Sequence, residues 1–280
     1  MIDLYNNVCF EVSKLVTNSY STSFSLGIIA LNKKYRAPIY SIYGLVRIAD
    51  EIVDTFHDSN KKELLNKLKN DTYEAIENKL SSNPILHSFQ ITVNKFKIPF
   101  ELIDAFFHSM EMDIYQGNYN REDYDKYVYG SAEVVGLMCL KIFVDGDENK
   151  YQKLLPQAKS LGSAFQKVNF LRDLGSDIKE RNRIYLPEVF DIKEITEEQK
   201  QKLVRETEQE FQLALDGIKK LPEEVKLGVY SAYLYYIELL KKVKKNSVKT
   251  LLNKRVRVNN FHKIILLIKA YFQTRILKII

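Results

Sequence analysis

The chain has 280 residues, 45% of them hydrophobic, with only 10 Gly and 6 Pro, which leaves ample core for one large or two small domains and favours long helices over a strand-and-turn fold. Its two cysteines, Cys9 and Cys139, have no paired spacing and its four histidines form no His-x-x-x-His pair, which excludes a disulfide framework and a zinc site of the usual spacing. The net charge of +6 is local: 12 of the 42 Lys and Arg lie in residues 241–280, where there is no Asp or Glu, so the rest of the chain is net acidic.

In chain order, residues 4–18 have Val8, Val12 and Leu15 at helical spacing. The hydroxyl-rich stretch Tyr20-Ser-Thr-Ser-Phe-Ser-Leu-Gly27 reads as a helix start or a phosphate-contacting turn. A basic turn over residues 32–36 precedes Pro38, which is expected to open a helix running through Tyr40, Tyr43, Leu45 and Ile48 to Arg47-Ile-Ala-Asp50-Glu-Ile-Val-Asp54. Residues 60–80 form a charged outer helix, and Pro84 and Pro99 start two more, the second ending near Met110-Glu-Met-Asp113. The apolar stretch from Tyr127 to Lys141 carries Gly130, Ser131, Ala132 and Gly136, small enough for close helix packing or for a ligand.

After a turn at Asp145, a long helix is expected from about 149 to 180, stopped by Ile184-Tyr-Leu-Pro187; helices over 195–218 and 222–246 follow, separated by Leu221-Pro222. The basic tail ends in a strongly apolar run over 261–280, readable either as an amphipathic helix resting on an anionic membrane or as a last helix packed on the body. No apolar run approaches the roughly 18 residues of a membrane span. The N-terminus lacks the pattern of a signal peptide, so a cytoplasmic protein is expected. There is no convincing strand pattern, no repeat, no nucleotide-binding glycine motif and no recognised nucleic-acid module. The expected fold class is all-α, one domain of roughly ten helices.

Two stretches carry chemistry. On a helix, Gln166, Asn169, Asp173 and Asp177 are spaced 3, 4 and 4 and share one face; Arg47, Asp50 and Asp54 do so at spacings 3 and 4. Carboxylates set among core-type residues must meet cations. If the two helices face each other, four carboxylates converge on one cavity. Mg²⁺ suits such a site, since it takes one or two carboxylates and completes its shell with water and substrate phosphates. A phosphorylated substrate is therefore expected.

The motifs in order are Ser21-Thr-Ser-Phe-Ser, Tyr43…Arg47-x-x-Asp50-Glu-x-x-Asp54, Met110-x-Met-Asp113, Tyr129-Gly-x-Ala-x-x-Val-Gly136 and Gln166-x-x-Asn169-x-x-Arg-Asp173-x-x-x-Asp177, ending at Arg183-x-Tyr-Leu-Pro187. Together they resemble the squalene/phytoene synthase family over nearly the whole chain, the bacterial phytoene synthases of carotenoid pathways more than the eukaryotic squalene synthases. Asn182 departs from the glycine usual there. The resemblance implies an isoprenoid synthase fold around a central cavity, in which two allylic prenyl diphosphates join head to head through a cyclopropyl diphosphate, C20 substrates giving phytoene.

It further implies that Asp50, Asp54, Asp173 and Asp177, with Asn169, hold Mg²⁺ (or Mn²⁺), with no nucleotide. Ser21, Ser23, Phe24, Arg47, Gln166, Asn169, Tyr236 and Arg255 would bind substrate, and Tyr129 would join the aspartates in catalysis. The rival readings are the same reaction on C15 substrates, giving squalene or dehydrosqualene, and a non-catalytic, membrane-associated assembly factor. A helical scaffold with merely solvated acids leaves Gln166 and Asn169 on the same stripe unexplained.

Overall fold

The computed structural model describes residues 1–115 and 117–280. The regular elements are α1 Ile2–Tyr20, α2 Thr22–Ile29, α3 Lys33–Asp54, α4 Lys61–Asn78, α5 Pro84–Phe96, α6 Phe100–Tyr115, α7 Arg121–Val128, α8 Val134–Phe143, α9 Glu148–Arg181, α10 Glu197–Lys220, α11 Glu223–Lys245, α12 Val248–Asn253 and α13 Asn260–Tyr271. Five-residue π-helical turns, Tyr129–Glu133 and Phe272–Ile276, join α7 to α8 and extend α13. Among the described residues there is no β-strand, only an isolated parallel bridge between Asn118 and Ile184. The all-α expectation holds, with more and shorter helices than the spacing suggests.

Local chemistry accounts for most boundaries. Ser21 caps α2, its side-chain oxygen accepting the Phe24 N–H, so the hydroxyl-rich stretch is a helix start. Asp147 caps α9 by accepting the Lys150 N–H. At the other end of α9, Asn182 adopts the left-handed conformation with φ 53°, which asparagine tolerates better than most residues and which explains how it replaces a glycine.

Two expectations fail. Pro38 does not open α3, which begins at Lys33 with Asn32 as its cap; Pro38 sits inside the helix, where its ring forgoes one hydrogen bond to the preceding turn. In α1 the periodicity is right but the face is wrong. Leu15 is 66% exposed and Val8 is exposed too, whereas Cys9, Ser13 and Thr17 are buried. The buried face is small and polar because α3 and α5 come close: Ser13 Oγ bonds Ser88 Oγ at 2.8 Å, and Thr17 Oγ1 donates to the Ser13 carbonyl.

The long helix α9 lies at the centre, packed against α8, α10, α11, α12 and the 129–133 turn, while α3 packs on α1, α5 and α8. Val168, Leu171 and Leu174 of α9 and Tyr35, Ile42 and Leu45 of α3 are buried, each apolar side chain worth roughly 1.5–3 kcal/mol relative to exposure. Of the small residues after Tyr127, Gly130 serves close packing, since a Cβ there would stand 2.3 Å from the Ala105 carbonyl oxygen. Ser131, Ala132 and Gly136 instead line a cavity.

Candidate active site

The C-terminal halves of α3 and α9 carry the two aspartate pairs, and the fold turns them toward each other. Arg181, one turn beyond Asp177, donates to Asp177 Oδ1 at 2.7 Å and lies 3.3 Å from Asp54 Oδ2, so one guanidinium spans both helices. Arg183 adds a second tie, donating to Asp54 Oδ1 at 2.6 Å. Asp173 is gripped by Arg172 (2.9 and 2.5 Å) and by Arg255, whose Nε is 2.6 Å from Oδ1. Arg47 pairs with Glu51 and stands 3.9 Å from Asp50. Every buried carboxylate thus meets a cation, as desolvation demands.

The carboxylates are not equivalent. Burial, reinforced by Asp54, pushes Asp50 up to about 7; its exposed part looks into the cavity rather than bulk water. Burial, with Asp173 beside it, raises Asp177 likewise to about 7. Burial acts on Asp173 too, but Arg172 and Arg255 outweigh it and hold that carboxyl below its ordinary range.

A cavity of about 1170 Å³ opens beside this cluster, larger than the roughly 300–1,000 Å³ of common small-molecule pockets. Apolar side chains such as Ile28, Ile39, Leu154 and Phe165 form much of its wall. Its polar end holds Ser21, Ser23, Arg47, Asp50, Gln166, Asn169 and Arg255, with Phe24 and Tyr236 alongside. Tyr236 stacks on Phe165 at 3.9 Å and donates to Asn169 Oδ1 at 3.3 Å; Asn169 donates to Gln166 Oε1, and Gln166 to Ser131 Oγ. Arg47 Nε is buried without a hydrogen-bond partner, and the Tyr20 ring covers its guanidinium at 4.1 Å. A buried unmet cationic donor at a cavity wall suits an anionic ligand.

Asp54, Asp173 and Asp177 do not line the cavity: Asp173 is linked to it through Arg172 and Arg255, which do, whereas Asp54 and Asp177 meet behind the polar end through Arg181. Tyr129 is not brought into the cavity: the Lys159 ammonium stands over its ring at 4.7 Å, and Tyr127, two residues earlier, lines the wall instead. Residues two apart point to nearly opposite sides of a helix, so only one of the two tyrosines can face the cavity.

Sequence reasoning passed over Arg172, Arg181, Arg183, Asp113 and Lys263. The first three adjoin Asp173 and Asp177 in sequence, and Asp113 ends a quoted motif; proximity to the acids was the available signal. Lys263, on α13, lines the cavity and donates to Thr22 Oγ1 at 2.8 Å.

The donor set fits a hard divalent cation. The site offers carboxylate and amide oxygens; Cys139, on the cavity wall, has its thiol pushed up to about 12 by burial and supplies no thiolate. Among the described residues, no three His, Cys, Asp or Glu side chains converge as a ready cage. An ion here would take one or two carboxylates and draw the rest of its shell from water and phosphate oxygens, the habit of Mg²⁺.

Residues 17–262 match the sequence profile of the family Squalene/phytoene synthase. A phytoene synthase of Arthrospira platensis is 27% identical over 96% of this chain and 94% of its own length. A 15-cis-phytoene synthase of Synechocystis sp. is 27% identical over 96% of this chain and 86% of its own. The crystal structure of a dehydrosqualene synthase in complex with ligand superposes with a TM-score of 0.80 at 21% identity, covering 95% of this chain and 96% of that one. At that identity the likeness is one of fold, the isoprenoid synthase fold.

Proposed function

Because this chain belongs to the squalene/phytoene synthase family and is, with that family, a prenyltransferase, we propose that it joins two geranylgeranyl diphosphates head to head, through a cyclopropyl diphosphate, to phytoene for carotenoid synthesis. The observation that carries this reading is the pairing of two facing aspartate pairs with a large apolar cavity. The reading treats residues 1–280 as one synthase domain, consistent with one continuous cluster of buried side chains from α2 to α13.

In this reading the first substrate ionises at its allylic carbon–oxygen bond, and the electron pair leaves with the diphosphate. The double bond of the second substrate attacks the cation, and loss of a proton closes the cyclopropane. The second diphosphate then departs, and rearrangement with loss of a proton gives the linear product, so no hydride donor or nucleotide is called for.

Asp50, Asp54, Asp173 and Asp177, with Asn169, would hold Mg²⁺ or Mn²⁺, which supplies Lewis-acid neutralisation of the departing charge. Arg47, with its unmet Nε, binds and orients a diphosphate, joined by the hydroxyls of Ser21 and Ser23 and by Arg255 and Lys263 at the cavity mouth. Gln166, Asn169 and Tyr236 hold one another in place at the reacting end. The apolar wall, Phe24 and Phe165 included, keeps water from both cations. Tyr129, which does not line the cavity, takes no part in this scheme.

The same reaction on two farnesyl diphosphates, giving dehydrosqualene, or squalene with an added reductant, is the second reading; it draws on the fold match to a dehydrosqualene synthase. Purified protein given C15 and C20 diphosphates in parallel with Mg²⁺ is expected to turn the C20 substrate into a C40 hydrocarbon. A C30 product alone selects the second reading. A non-catalytic role has against it that both aspartate pairs are intact.

The basic tail we assign to a lipid surface rather than to nucleic acid, with the protein peripheral on the cytoplasmic face of a membrane. Among the described residues no helix is long and apolar enough to cross one. On α13 and the π-helical turn that extends it, Phe261 is 73% exposed and Ile264, Ile265, Ile268, Tyr271 and Phe272 are exposed too, while Leu266 and Ala270 face inward; Asn260 and Lys263 of the same helix line the cavity.

A further inference from the structure

We propose that Arg183 is a positioning residue that fixes the rotamer of Asp54, leaving Asp54 Oδ2 as the oxygen that meets the divalent cation, and that it is itself held by a cage of Asp113 and three tyrosines. The inference rests on the proposed metal role of Asp54.

Arg183 follows the left-handed turn at Asn182, which folds the chain back over the acids; its backbone N–H bonds the Asp177 carbonyl at 3.0 Å. Its side chain is then spent in several directions. Nη1 donates to Asp54 Oδ1 at 2.6 Å and to the Tyr185 hydroxyl at 3.2 Å. Nη2 donates to the Asp113 carbonyl at 2.8 Å and to the Val53 carbonyl at 3.3 Å. The residue is only 7% exposed.

The counter-charge is as firmly held. Asp113 Oδ1 accepts from Tyr119 at 3.1 Å and Tyr185 at 2.7 Å, and Oδ2 accepts from Tyr127 at 2.7 Å. The rings brace one another: Tyr185 stacks on Tyr119, Tyr127 and Phe170, with centroids 5.5, 5.1 and 4.7 Å away. Backbone bonds from Ile184 to Gly117 and from Glu188 to Tyr119 tie the two segments together. Withdrawing Arg183 would strand a buried carboxylate and several polar groups at once, so this guanidinium stays in place.

Arg181 differs. Its side chain is 32% exposed, and its nearest approach to Asp54 is at Oδ2, 3.3 Å away, whereas Arg183 holds Oδ1. It can withdraw when a dication and a diphosphate arrive. The two arginines therefore divide the carboxylate of Asp54: Oδ1 is permanently pinned and Oδ2 is provisionally covered. Groups that orient a metal ligand in this way are typically worth 10- to 100-fold in metal affinity.

The test is Mn²⁺ binding to the full chain with inorganic pyrophosphate, followed by the free-ion electron paramagnetic resonance signal. Arg183→Lys keeps the charge and loses the fork, so a pure charge role is rescued and a positioning role is not. We expect R183K to melt cooperatively within a few degrees of wild type and to bind Mn²⁺ about tenfold more weakly. R181Q, which removes the displaceable cation, is expected to bind no more weakly than wild type. Tyr119→Phe removes one hydroxyl from Asp113, touches neither Asp54 nor the cavity wall, and should weaken binding severalfold. Wild-type affinity in folded R183K overturns the proposal, because a residue that only stabilises the fold moves the melting temperature and not the affinity. If R183K does not fold, wild-type affinity in Y119F overturns it. Failure of the wild-type protein to bind Mn²⁺ with pyrophosphate overturns the metal reading itself and this inference with it.

Discussion

Asp50 and Asp177, both raised to about 7, make the metal-free protein sensitive to pH in the neutral range. Their folded values lie above the 3.8 of an ordinary aspartate, so between about pH 4 and 7 the folded state holds more protons than the unfolded state. Their contribution to stability is full below that window and is lost as pH rises through it. A bound dication reverses the preference by favouring the ionised carboxylates. Melting temperatures of metal-free protein are therefore expected to fall from pH 5 to pH 8, with the fall reduced by Mg²⁺ plus pyrophosphate; a fall unchanged by metal counts against the site. Mn²⁺ affinity should weaken by about one to two decades per pH unit below 7, as one or both protons must leave. Asp54→Asn and Asp177→Asn should each give folded protein with turnover reduced roughly 10²-fold or more, the scale of losing one electrostatic contact to a transition state. Near-normal kinetics in either variant would remove that aspartate from the chemistry.

Among the elements, the contact between α9 and α12 controls how Arg255 reaches Asp173. A Cβ on Gly175 would lie 2.3 Å from the Leu252 carbonyl oxygen, and backbone cannot step aside as a flexible side chain can. The short helix α12 leads directly into Arg255, so pushing it away loosens the 2.6 Å grip on Asp173. Gly175→Ala is expected to cost about 1–3 kcal/mol, as overpacking of a closed interface does, and to raise KM for the diphosphate. Thermal melts and initial rates check both, and unchanged values would mean that α12 is free to shift. The element α1 marks the opposite limit of sequence reading. Its repeat of Val8, Val12 and Leu15 identifies a helix, yet the side it buries is Cys9, Ser13 and Thr17.

For the whole molecule, the charge asymmetry and the cavity mouth meet on α13. The long-chain hydrocarbon proposed as product has almost no solubility in water, and each Lys or Arg near an anionic surface adds about 1 kcal/mol of attraction. The chain is expected to co-sediment with anionic vesicles at low salt and to release at high salt. Removal of residues 261–280 should abolish binding. Because that truncation also takes away Lys263 and the buried Leu266, the milder triple change Phe261→Ser, Ile264→Ser and Ile268→Ser, confined to exposed positions, should reduce binding severalfold without lowering the melting temperature. Equal binding by that variant would leave α13 an ordinary packing helix.

The sequence by itself determined the all-helical class and most of the longer helices, the shared faces of Asp50 with Asp54 and of Asn169 with Asp173 and Asp177, and, through ordered motifs, the family. These are local properties: breakers and caps act within a turn, and a spacing of 3 or 4 places side chains together whatever lies outside the helix. Tertiary structure alone decided which cations cross to a carboxylate on another element: Arg181 and Arg183 to Asp54, and Arg255 to Asp173. Arg181 and Arg183 are two residues apart, yet one spans Asp54 and Asp177 at a half-open edge while the other is locked under Asp113. It also put Tyr127 rather than Tyr129 in the cavity wall; residues two apart point to nearly opposite sides of a helix, and packing chose which one faces the cavity. Periodicity fixes the angles between side chains around a helix axis, but their common orientation is set by whichever neighbours close the packing, and those neighbours lie far along the chain.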